Sequence, residues 1–79
     1  MNRCTAAMSS ITFCMKAQRL LAESGKRSFI VKLDPSVSKR GCAYGIEFDC
    51  QEKQEIRAIL SRSNIRVTQY IDSGGGVPV

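Results

Sequence analysis

Two stretches of strict period-two alternation stand next to each other in this chain, and a stretch of helical periodicity lies on either side of the pair. No other feature constrains the fold as much, because side chains alternate across a strand but recur every three to four residues along a helix. In the first alternating run Phe29, Val31 and Leu33 point one way and Ser28, Ile30 and Lys32 the other. Asp34-Pro35-Ser36 breaks that run, since proline cannot continue a ladder, and a polar loop follows through Ser38-Lys39-Arg40-Gly41. In the second run Cys42, Tyr44, Ile46 and Phe48 share one face, and Ala43, Gly45 and Glu47 share the other.

The flanks complete a repeated theme. Cys4 to Ser9 carries small or apolar side chains, compatible with a buried strand. Ser10 or Thr12 can cap a helix by accepting from an unpaired backbone N–H. Phe13, Ala17, Leu20 and Leu21 then recur at helical spacing, and Gly25 supplies the left-handed stop. Beyond the second run, Asp49-Cys50-Gln51-Glu52 reads as a capping box, followed by an Ile56, Ile59 and Leu60 stripe and a stop at Asn64. Val67, Gln69 and Ile71 alternate with Arg66, Thr68 and Tyr70 in a last strand. The order strand, helix, strand, strand, helix, strand predicts an α+β, ferredoxin-like βαββαβ sandwich. It has a four-stranded antiparallel sheet, both helices on one face, and the first and third strands at the centre. Residues 1–72 form the single domain, and 73–79, with three consecutive glycines, read as a flexible C-terminal tail.

A chain of 79 residues has room for one domain with a small core. A partner subunit or disulfides are the usual supports for so little buried surface. No apolar stretch is long enough to cross a membrane, and Met1 to Met8 lacks a signal-peptide core, so a cytoplasmic location is expected. There Cys4, Cys14, Cys42 and Cys50 are expected to be reduced thiols. Twelve basic against seven acidic residues leave a net charge of +5, but no basic run exceeds two. That scatter reads as a solvated surface, and nucleic acid is not the expected partner.

Ferredoxin-like domains host unrelated activities, so the site must carry the functional argument. RNA-binding versions stack bases on aromatic residues of the central strands; the outward positions here are Ala43 and Gly45. Metal chaperones use a Cys-x-x-Cys pair, and no such pair occurs. The absence of histidine and of a clustered carboxylate pair leaves ordinary acid–base catalysis poorly served. A carrier or binding protein is expected rather than a turnover enzyme, with no metal and no cofactor.

The cysteines are not equivalent. Cys4 and Cys14 read as packing residues, since a thiol in apolar surroundings behaves as a small hydrophobe. Cys42 stands where the loop meets a central strand, directly after Lys39, Arg40 and Gly41. Nearby cations favour the reactive thiolate, and Gly41 lets a bulky group approach. On the residues alone, Cys42 reads equally as the start of the apolar face of Tyr44, Ile46 and Phe48. Cys50 is a secondary candidate, because a helix N-terminus stabilises a thiolate while Asp49 beside it works in the opposite sense.

From about Met8 to Ile71 the chain resembles the small bacterial Se/S carrier-like protein family. The similar features are Ser9-Ser10 entering Met15-Lys16-Ala17-Gln18-Arg19-Leu20-Leu21, the Leu33-Asp34-Pro35 turn, the strand from Cys42 to Phe48, and Gln54-Glu55-Ile56-Arg57-Ala58-Ile59-Leu60. The resemblance implies that Cys42 matches the family's loop cysteine, although here Gly41 precedes the cysteine and Ala43 follows it. It implies a sulfur or selenium carrier holding a persulfide or selenopersulfide on that thiol. The implied partners are a donor of the cysteine desulfurase or selenocysteine lyase type and an acceptor protein, with Lys39 and Arg40 stabilising the anion.

Two other readings stand beside it. A non-catalytic interaction or regulatory module would form a homodimer through the open sheet face, where Ala43 and Gly45 are small. A ubiquitin-like sulfur carrier would need a terminal Gly-Gly carboxylate, and Gly75-Gly76 is followed by Val77-Pro78-Val79.

Overall fold

A computed structural model of the chain describes residues 3–34, 43–71 and, as backbone, 76–78. Its elements run β1 (Arg3–Met8), α1 (Ile11–Glu23), β2 (Phe29–Leu33), β3 (Tyr44–Asp49), a 3₁₀ turn (Cys50–Glu52), α2 (Lys53–Arg62), β4 (Gln69–Ile71) and β5 (Gly76–Pro78). The sheet order is β4-β1-β3-β2-β5, and every neighbouring pair is antiparallel. The first four strands form the expected ferredoxin-like sheet with β1 and β3 at its centre.

Gly76–Pro78 forms a fifth strand. It pairs with β2, Val31 opposite Pro78 and Leu33 opposite Gly76. A four-stranded sheet leaves β2 as an edge with unpaired backbone groups, a template for any extended segment. Proline is tolerated on such an edge because its missing N–H can face away from the ladder.

Both helices end in the same way. Ser10 caps α1, its Oγ accepting from Phe13 N at 3.3 Å. Gly25 has φ 75°, with Gly25 N donating to Ala22 O and Lys26 N to Leu21 O, at 3.0 and 2.8 Å. Asn64 at φ 59° closes α2, with Asn64 N bonded to Ser61 O and Ile65 N to Leu60 O. These paired bonds satisfy carbonyls that a helix end leaves open. The start of α2 is less regular than a capping box. Asp49 Oδ1 accepts from Gln51 N at 2.9 Å, but Glu52 makes no capping bond and its carboxylate lies 3.1 Å from Lys26 Nζ.

The main core lies between the helices and one face of the sheet. Cys14, Ala17 and Leu21 of α1 and Ile56 and Leu60 of α2 meet Cys4, Ala6, Met8, Ile46 and Phe48. The inner face of α1 is therefore turned from the expected one: Cys14 is fully buried, whereas Phe13 is 40% exposed. On β2, Ile30 packs against this core, while Val31 and Leu33 join Ala7 and Ile71 in a second buried cluster on the opposite face. Thr5 is buried there too.

Candidate functional site

Of the two cysteines singled out for thiol chemistry, Cys50 directly follows β3 and is described. Lys39, Arg40, Gly41 and Cys42 lie outside the described residues. Their described neighbours frame the β2–β3 connection: Leu33 N donates to Ala43 O at 2.8 Å, drawing its two ends together. Tyr44 begins β3 opposite Met8 of β1, and Met8 is two residues before the Ser10 cap of α1. The N-terminus of α1 therefore opens at the same end of the sheet as Ala43. Backbone N–H groups at a helix start carry partial positive charge that favours an anion nearby. The first turn of α1 contains no acidic residue to cancel it.

Cys50 stands at the other end of β3. It is joined to Cys4 in a disulfide with a Cα–Cα distance of 5.0 Å. The expectation of four reduced thiols is corrected for this pair, and Cys50 has no thiol to ionise while the bond stands. The ladder explains the meeting. Cys4 pairs with Phe48, so the chain leaving β3 through Asp49 turns back over the start of β1. An extended run from Ala43 to Cys50 covers roughly 20 Å. The disulfide and Ala43 are thus well separated. Cys14 is buried in the core, as its packing reading expected.

A cleft of about 390 Å³ adjoins the disulfide end, lined by Arg3, Gly25, Arg27, Phe29, Phe48, Asp49 and Glu52. Most of its charges already have partners. Arg3 bonds Glu47 at 2.8 Å and lies 5.4 Å from the Phe29 ring centre, while Glu52 is paired with Lys26. Side chains committed to each other in this way hold the corner of the fold together and present no converging set of reactive groups. Among the described residues no three His, Cys, Asp or Glu side chains gather where a metal ion could bind. No helix of the described residues is long and apolar enough to cross a membrane.

The family model described as "Putative Se/S carrier protein-like" matches residues 3–72, from the first residue of β1 to just past β4. The chain belongs to this family. The match takes in both ends of the sheet, the α1 N-terminus and the whole β2–β3 connection of this Se/S carrier-like protein. No curated protein and no solved structure matches the chain.

Proposed function

We propose that this protein carries sulfur or selenium on Cys42. The observation that supports the reading most is membership of the Se/S carrier-like family over nearly the whole chain. The α1 N-terminus, opening at the end of the sheet where Ala43 lies, adds a physical reason for an anionic sulfur there. Lys39 and Arg40 supply two further cations in the same loop, and Gly41 leaves room for a swollen sulfur species.

In the proposed step the Cys42 thiolate attacks the outer sulfur of a persulfide on a donor protein of the cysteine desulfurase type. A new S–S bond forms at Cys42, the donor's S–S bond breaks, and the donor cysteine leaves as its thiolate. An acceptor nucleophile then attacks the outer atom of the loaded Cys42, whose own thiolate is the leaving group. Selenium would follow the same course from a selenocysteine lyase type of donor. One cysteine is enough, since neither step needs a resolving thiol. The test is loading with isotopically labelled sulfur: Cys42→Ser should take up none, and uptake at the normal rate by that variant would refute the assignment.

The homodimer reading loses ground to the burial of Ala7, Val31, Leu33 and Ile71 on the face it would use. A monomer at all concentrations in sedimentation is the expected result for that face.

A further inference from the structure

Helix α1 has a second apolar stripe that the core does not use. Its inner stripe, Cys14, Ala17 and Leu21, is buried. Its outer stripe, Ile11, Met15 and Ala22, lines a groove of about 1000 Å³ between α1 and the start of β2. Ile11 is 38% exposed, Met15 59%, and Phe29 across the groove 46%. Ile11 and Met15 project from α1 onto this surface, while Phe29 lines it from the start of β2 with its ring 5.4 Å from the Arg3 guanidinium on the other face of the sheet. Scattered exposed hydrophobics are ordinary, but neighbouring ones along a groove mark an interaction site.

The polar groups of the groove are one-sided. Arg19, Lys26 and Arg27 line it, and no aspartate or glutamate does. Lys26 is bound to Glu52 and Glu55, whereas Arg19 and Arg27 are exposed and have no carboxylate partner among the described residues. Ser28 Oγ, in the groove wall, is buried without a hydrogen-bond partner. From Ile11 to Ala22 the groove follows α1 for about 16 Å, the length of three helical turns.

We propose that this groove docks an acidic amphipathic helix of a partner protein. The apolar face of the partner lies against Ile11, Met15 and Ala22, and flanking carboxylates meet Arg19 and Arg27. The Ile11 end of the groove shares the sheet end with Ala43. The docking does not depend on any chemistry at Cys42.

The test uses the full chain and two synthetic helical peptides, one with leucines at i, i+4 and i+7 flanked by glutamates, the other with lysines in place of the glutamates. Binding is followed by backbone amide shifts. The glutamate peptide should shift residues of α1 and of 28–30 and bind at least about tenfold more tightly than the lysine peptide. Met15→Glu and Arg19→Glu, both at exposed positions, should each weaken binding several-fold while far-UV circular dichroism stays unchanged. Arg27→Glu gives an independent check from the opposite wall. No binding, equal binding of both peptides, or shifts mapping elsewhere overturns the proposal. So does binding to phosphatidylcholine vesicles containing phosphatidylserine without peptide binding, which would make the groove a lipid contact. Self-association abolished by Met15→Glu would assign it to a second copy instead.

Discussion

The γ-methyl of Thr5 occupies the space that a side chain at Gly45 would need. A Cβ built on Gly45 falls 2.9 Å from Thr5 Cγ2 and 2.9 Å from the carbonyl oxygen of Ala6. The two residues are diagonal neighbours on adjacent central strands, since Thr5 pairs with Glu47 and Ala7 with Gly45. The missing side chain in β3 thus has a partner within its own sheet and does not require a second copy to explain it.

Gly45→Ala should destabilise the fold by about 1–3 kcal/mol, the range for forcing extra volume into a packed interior. Thr5→Ser in that background should recover only part of the loss, because the Ala6 oxygen belongs to a central strand and cannot move aside. Gly25→Ala is the useful contrast. Nothing lies within 4 Å of a Cβ there, but φ is +75°, so the expected cost of about 1–2 kcal/mol is conformational. Urea unfolding of the three variants checks this, and a Gly45→Ala protein as stable as the parent would contradict the close approach.

Breaking the Cys4–Cys50 bond should cost about 4 kcal/mol in the chain-entropy account, given a separation of 46 residues. For a domain of this size that is a large share of the total stability. A Cys4→Ser, Cys50→Ser double variant should therefore melt far below the oxidised protein and close to the parent in reductant. Melting unchanged by reductant would mean that the bond contributes nothing.

Alkaline pH should weaken the fold through Lys26. Its Nζ lies 2.6 Å from Glu55 and 3.1 Å from Glu52. Hydrogen bonds to Glu55 first and Glu52 second raise its pKa above the ordinary 10.5. A raised folded-state pKa means the stabilisation is complete below 10.5 and disappears as pH climbs through the raised value. Tyr70, raised above 10.0 by burial against an opposing pull from Arg57, adds a loss of the same sign. Denaturant titrations of the parent and Lys26→Gln should converge as pH rises through this window, with the Tyr70 component common to both. Curves that stay parallel would show that the ion pairs do not stabilise the fold.

The cysteines should label in a fixed order. Without reductant, iodoacetamide should reach Cys42 first. Cys4 and Cys50 should react only after reduction, and Cys14, buried in the core, only after unfolding. Mass spectrometry of each site against pH gives the apparent pKa at Cys42. A value no lower than that of an ordinary thiol would remove the electrostatic support for the carrier reading.

The strand and helix order was legible because periodicity and stop signals are local. Phe29 to Leu33 alternates whatever surrounds it, and Gly25 and Asn64 end their helices through backbone geometry alone. The four-stranded topology follows from that order together with the antiparallel pairing of neighbours. Family membership was legible in the same residues. Cys42 drew attention by its place after Lys39, Arg40 and Gly41, a pattern read without any tertiary contact.

What tertiary structure decided depends on register. Alternation cannot say which face of β2 meets the helices, and the sheet turned Ile30 inward and Val31 outward to a second cluster. Helical periodicity left α1 free to rotate by one residue, and packing chose Cys14 over Phe13 for the core. The Cys4–Cys50 bond needed the β1–β3 register, since the two sulfurs are far apart in the chain and adjacent only once Cys4 faces Phe48. Strand β5 needed the open edge of β2, which exists only after the other strands are in place. Local chemistry chose the elements; contacts between residues distant in the chain chose their faces and partners.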